Sequence, residues 1–310
     1  MTVPPPSGEQ VELRHEPWSA VVVEVGGGLR ELRHDGAPLL DGYGVGERAS
    51  GGRGQPLLPW PNRLAGGRYL SGGREIEVPV NERATGSAIH GLTRWSAWRV
   101  AEQTPSRCAM ELRLHPQPAY PFTADLRIDY ALSEAGLEIT LRATNAGAAD
   151  LPVGAGFHPY LTLGTATVDA LSARVPAATW LPADARGIPT GERRAVAGET
   201  DLRAGPPLGD RVLDHCFTDL ERDADGLARI VLTAPDGGAA TLWMDEAWPF
   251  VMVFTGDTVE PARRRRGLAV EPMTCAPDAF NSGDGLRVLR PGEEMSGRWG
   301  IAYEAGGPGS

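Results

Sequence analysis

Apolar and polar residues alternate along Leu126-Arg127-Ile128-Asp129-Tyr130-Ala131-Leu132, and again along Leu137-Glu138-Ile139-Thr140-Leu141-Arg142-Ala143. A period of two places every second side chain on the same face of a strand, so each segment can bury one face. The short Ser133-Glu134-Ala135-Gly136 between them predicts a hairpin. A second hairpin is expected from Arg229–Thr233 and Ala240–Met244, joined through Pro235-Asp236-Gly237-Gly238. Further strands are expected at Ala20–Val25, Leu29–Arg33, Glu75–Val78, Trp98–Ala101, Met110–His115, Phe250–Phe254 and Gly300–Tyr303. Helical periodicity is missing, with the best short candidate around Ala276 to Asn281. Strands without alternating helices point to antiparallel sheets. The expected fold is all-β: one large antiparallel β-sandwich.

The 40 glycines and 27 prolines are scattered along the whole chain, which fits many short strands and turns. No linker divides the 310 residues and no fixed repeat runs through them, so residues 1–310 read as one domain. Its core is expected over about 15–303, with loose ends at 1–8 and 305–310. A net charge of −10 makes a general attraction to nucleic acid or to an anionic membrane unexpected. All 30 strongly basic residues are arginine, which excludes lysine Schiff-base chemistry and a P-loop lysine. Three widely spaced cysteines, Cys108, Cys216 and Cys275, suggest neither a disulfide framework nor a metal motif, and favour a reducing compartment. The N-terminus lacks a signal-peptide pattern, and no apolar run reaches the ~20 residues that span a bilayer. A cytoplasmic protein is expected.

Two residues stand out for chemistry. His158 lies in Gly154-Ala155-Gly156-Phe157-His158-Pro159-Tyr160, and Glu271 opens Glu271-Pro272-Met273-Thr274, each at the expected end of a strand. A histidine and a glutamate can supply a protonated acid and an ionised base near neutral pH, without large pKa shifts. Structural roles compete with this: a strand-end histidine bonded to backbone is as good a reading of His158 alone. His90, near Trp95 and Trp98, reads by itself as a half-buried turn histidine. His15, His34 and His115 read as surface residues. Arg63, in a Pro-rich turn beside Trp60, has a planar fork of donors suited to vicinal hydroxyls, though a surface salt bridge is the commoner fate. Asp214 suits hydroxyl binding or a turn cap. Glycosidase chemistry needs a second carboxylate near Glu271, for which Asp214 and Asp245 are the candidates. Trp60 and Trp243 could stack on a sugar, with core packing the commoner role for tryptophan. There is no nucleophile elbow, dinucleotide fingerprint or metal-ligand spacing, so no cofactor and no metal are expected.

Taken in order, Asn62-Arg63 with Gly66 and Tyr69, Ile89-His90-Gly91, Phe157-His158-Pro159-Tyr160, Asp214-His215-Cys216-Phe217, Glu271-Pro272-Met273-Thr274 and Leu289-Arg290-Pro291-Gly292-Glu293 resemble the aldose 1-epimerase (galactose mutarotase) family, in its shorter bacterial Glu-Pro-Met-Thr form. The resemblance spans nearly the whole chain. It implies a β-sandwich of the galactose-mutarotase type, with a sugar cleft on one sheet. It also implies Glu271 as general base, His158 as general acid, His90 near the ring oxygen, and Arg63 and Asp214 on hydroxyls. The implied activity is cofactor-independent interconversion of the α and β anomers of a free aldohexose, with the sugar as partner. The run Arg263-Arg264-Arg265-Arg266 raises the alternative of a hexose 6-phosphate substrate, since guanidinium binds phosphate well. A solvated loop is the plainer reading of the run. A non-catalytic sugar-binding protein on the same scaffold would need neither His158 nor Glu271 as a pair.

Overall fold

A computed structural model describes residues 3–307. The chain is all-β and antiparallel, and two eight-stranded sheets dominate it. The back sheet runs Arg99–Thr104, Arg107–Leu114, Ala124–Ser133, Gly136–Asn145, Glu294–Glu304, Ala239–Met244, Ala228–Thr233, Ser172–Arg174. Both expected hairpins are adjacent pairs within it. The alternation works as the sequence pattern demands: Leu126, Ile128, Tyr130 and Leu132 are buried, and the residues between them are half-exposed.

The second sheet carries the candidate site. Its main path is Arg194–Ala195, Ala177–Leu181, Asp214–Leu220, Phe250–Phe254, Leu268–Met273, Gly156–Phe157, Pro56–Leu57, and Tyr160–Leu161 also pairs with Leu268–Met273. Its inner face contributes Phe217, Val251, Val253, Leu268 and Val270 to one core with Ile128, Ile139 and Leu141 of the back sheet. Phe157 touches Trp299 across that interface, with ring centroids 5.1 Å apart. Its outer face holds a smaller apolar cluster that includes Cys216, Met252 and Met273. The side chains of Phe250–Phe254 and Leu268–Met273 therefore alternate between two buried environments. Such strands read as continuous apolar runs.

Ordering begins earlier than the expected boundary near residue 15. A four-stranded sheet starts at Gln10, and Ser7 is buried with its carbonyl accepting from the Val25 N–H at 3.0 Å. The expected loose ends fall partly outside the described residues, at 1–2 and 308–310. The helix expected near Ala276 to Asn281 is a single turn, Ala279–Ser282. His34 is not a free surface residue, because its ring packs against Trp18 at 4.8 Å and Tyr303 at 5.0 Å.

Candidate active site

Glu271 lies inside the strand Leu268–Met273, not at its end as the sequence suggested. Pairing with Phe250–Phe254 continues through Pro272, opposite Val251, so the proline does not terminate the strand. On the other side the partner is interrupted. Gly156 pairs with Met273, and Tyr160 with Ala269, in one unbroken register. That register puts His158 directly opposite Glu271. The Pro159 carbonyl still accepts from the Val270 N–H at 3.2 Å. Cross-strand neighbours on one face meet, and His158 Nε2 lies 3.3 Å from Glu271 Oε1.

Two rows of side chains cross this outer face. Cys216, Met252, Glu271 and His158 form one, and Asp214, Phe254, Ala269 and Tyr160 the next. Over them lies a pocket of about 340 Å³ lined by residues that include Asp214, Phe254, Tyr160, His158 and Glu271. His158 is 4% exposed and Glu271 2%. The His158 Nδ1 and Glu271 Oε2 atoms are buried without a hydrogen-bond partner among the described residues. Buried polar groups are normally paired, so unpaired atoms on two residues that line one pocket mark a place for ligand groups.

Both groups are shifted, contrary to the expectation of ordinary pKa values. Burial, with the Arg94 and Arg53 guanidiniums nearby, pushes the His158 imidazole down to about 3. Burial, with Asp214 nearby, pushes the Glu271 carboxyl well above the usual carboxylate range, against the opposing pull of Arg63 and Arg94. Both shifts have the same physical origin: an isolated charge is costly away from water.

His158 is clamped from two sides. Tyr160 stacks on its ring at 4.8 Å and 12°. Arg53 lies over Tyr160 at 4.5 Å and makes a buried ion pair with Asp41 at 3.1 Å. On the other flank is Gly52, at φ +76°, where a Cβ would lie 2.6 Å from the imidazole Cδ2.

His90 belongs to the same cluster, buried rather than half-buried, with its ring 5.2 Å from that of His158. Its Nδ1 accepts from the Asn62 N–H at 3.2 Å, which leaves the ring proton on Nε2. Burial, reinforced by His158, holds it well below the ordinary histidine value, hence neutral. The following Gly91 sits at φ +67° with the Leu58 carbonyl where a Cβ would be, so only glycine fits beside His90.

Arg63 lines the pocket, but most of its fork is taken. Nε and Nη2 donate to Glu82 at 2.7 and 3.0 Å, while Nη1 lies 3.8 Å from Asp214. Asp214 also lines the pocket, and partial burial raises its carboxyl pKa despite Arg63. Asp245 is elsewhere, accepting from the Arg298 N–H at 2.8 Å beside the back sheet. Trp60 is buried against Phe280, Trp243 lies in the back sheet, and neither lines the pocket. Arg94 was not foreseen. Its Nε donates to Gln55 at 2.9 Å, and its remaining nitrogens make no hydrogen bond among the described residues. Nothing about an arginine in Thr93-Arg94-Trp95 marks it as a site residue before folding.

The two sheets and the pocket on the outer face of one define a galactose-mutarotase-type β-sandwich. The structure of an aldose epimerase homologue from C. elegans matches it with a TM-score of 0.86, covering 96% of this chain and 99% of that one at 18% identity. Residues 9–302 match the aldose 1-epimerase family profile, and the chain belongs to that family. Among its relatives is the uncharacterised protein YihR of Escherichia coli K12, 33% identical over 289 residues, covering 93% of this chain and 91% of the relative. Mouse galactose mutarotase is 28% identical over 257 residues, covering 76% and 74%.

Proposed function

We propose that this protein is an aldose 1-epimerase acting on a free aldohexose, with Glu271 as general base and His158 as general acid. The buried His158–Glu271 contact at 3.3 Å carries the reading. The anomeric hydroxyl and the ring oxygen are bonded to the same carbon, so an acid and a base side by side can address both at once. Glu271 takes the hydroxyl proton while imidazolium His158 protonates the ring oxygen, and the ring opens to the aldehyde. Rotation exposes the other carbonyl face, and the reverse transfers close the other anomer.

The pair holds one proton throughout the window between its two shifted values. Ring opening starts from carboxylate and imidazolium and leaves carboxylic acid and neutral imidazole. Burial favours this second arrangement, so the neutral pair is the resting state and the proton passes from Glu271 to His158 before opening. Arg63 favours the carboxylate, whereas Arg94 favours the carboxylate and opposes the imidazolium. Neutral His90 offers an Nε2 donor toward the ring oxygen, while Arg63 Nη1 and Asp214 serve sugar hydroxyls. No cofactor or metal enters these steps. The three cysteines are buried free thiols, which supports a reducing compartment such as the cytoplasm.

The arginine run supports a free sugar over a phosphorylated one. Arg263 binds Asp41 and Glu47 at 3.2 and 2.8 Å, and Arg265 binds Asp169 and Asp257 at 2.7 and 2.8 Å. None of the four lines the pocket, whose wall carries Glu82, Asp214 and Glu260. Polarimetry of freshly dissolved α-D-glucose and α-D-galactose is the test. The expected result is a rate rising with protein concentration and no preference for glucose 6-phosphate. Failure to accelerate any free aldohexose would overturn the proposal.

A further inference from the structure

At about 340 Å³ the catalytic pocket is near the lower end of the ~300–1,000 Å³ range of ligand sites and suits one sugar ring. It is not isolated. A second groove, of about 670 Å³, shares Asn81 and Arg94 with it and continues over Leu92, Trp95, Gln117 and Pro118. Trp95 is 56% exposed, the one aromatic among the exposed large apolar side chains of the described residues. Arg94 covers one face of the indole at 5.5 Å. The same Arg94 lines the catalytic pocket, so one residue borders both spaces. On another part of the rim the Ser50 hydroxyl donates to Glu260 at 2.9 Å, tying two pocket-lining loops together.

We propose that this groove is a second glycosyl subsite, in which the ring next to the reducing end of a disaccharide or longer saccharide stacks on Trp95. The proposal rests on the mutarotase reading of the adjoining pocket and assigns the surface that would hold the second ring of a reducing saccharide. The lining fits a sugar ring. Trp95, Leu92 and Pro118 offer flat apolar surface for the C–H face of a pyranose. Gln117, half-buried, has a side-chain amide that makes no hydrogen bond among the described residues. Asn81 spends one donor and one acceptor on the Ile89 backbone and keeps one of each for hydroxyls. Sites with a large apolar surface and a few fixed polar groups are the usual form of small-ligand recognition. Continuity through Arg94 and Asn81 sets the direction in which a chain would leave the catalytic pocket.

The test measures mutarotation of glucose, maltose, cellobiose and isomaltose by the wild type, Trp95→Ala and Trp95→Phe. At least one disaccharide is expected to show a lower KM than glucose. Trp95→Ala should raise that KM about tenfold, the equivalent of roughly 1.4 kcal/mol, and leave glucose kinetics unchanged. Trp95→Phe should recover most of the difference. No disaccharide preference, or an equal loss on glucose and disaccharide, overturns the subsite while leaving the mutarotase reading intact. If no sugar is anomerised at all, the mutarotase reading fails, and calorimetric binding of the same sugars decides the subsite. Disaccharide binding tighter than glucose and weakened by Trp95→Ala supports it, and its absence removes it.

Discussion

His158 and Glu271 lie far apart in sequence, and the antiparallel register of Gly156–Phe157 and Tyr160–Leu161 against Leu268–Met273 brings them together. Their shifted pKa values make a signed prediction about stability. His158 titrates at about 3 in the folded protein and near 6.5 when unfolded. As pH falls from 6.5, the unfolded chain gains a proton there that the folded chain refuses, so stability is lost between 6.5 and about 3. Glu271 acts oppositely: its contribution is present below its unfolded value and is lost as pH rises through its elevated folded value. Urea unfolding at a series of pH values between 7 and 4.5 checks the histidine. The His158→Asn variant should lose less stability over that interval than the wild type. Equal losses would mean that His158 titrates freely in the fold. Both residues were legible in the sequence as chemistry, but their contact was not, because it depends on a strand register. The engagement of most of the Arg63 fork was equally hidden, since Glu82 joins it only through folding.

At the scale of elements, the legible strands were those with one buried face. The strands Ala124–Ser133 and Gly136–Asn145 show a period of two over ten residues each, and the pattern located both. The two-residue strands Pro56–Leu57, Arg63–Leu64, Ala88–Ile89 and Gly156–Phe157 are too short to show any period. They nevertheless hold Arg63, His90 and His158 at the pocket, so the elements nearest the chemistry were the least readable. The division of labour between sheets can be tested. Leu141, fully buried in the back sheet between Ile128 and Gly297, touches core rather than pocket. Leu141→Ala should cost about 2–5 kcal/mol in denaturant unfolding. Mutarotation per folded molecule should stay at the wild-type level. A selective loss of activity in folded Leu141→Ala would show that the back sheet shapes the site.

For the whole molecule, the sandwich supplies a rigid inner core and an outer face on which a few polar residues can be held dry. Family and fold were legible from the order of short motifs along the chain; five of the six contribute residues to the pocket, and Leu289–Glu293 begins on the strand paired with Leu151–Val153 instead. Substrate choice was not legible. The run Arg263–Arg266 left a phosphate-binding alternative beside the plainer reading of a solvated loop, and in the fold Arg263 and Arg265 pair with Asp41, Glu47, Asp169 and Asp257. Arg94, which lines both pockets, carries no signature before folding. The central claim is that one buried acid–base pair performs the reaction, and polarimetric anomerisation of α-D-glucose by Glu271→Gln and His158→Asn tests it most directly. Each folded variant should lose about 10²–10⁴-fold in rate, the usual contribution of a positioned proton-transfer group. A folded variant of either residue that anomerises glucose at the wild-type rate would contradict the account.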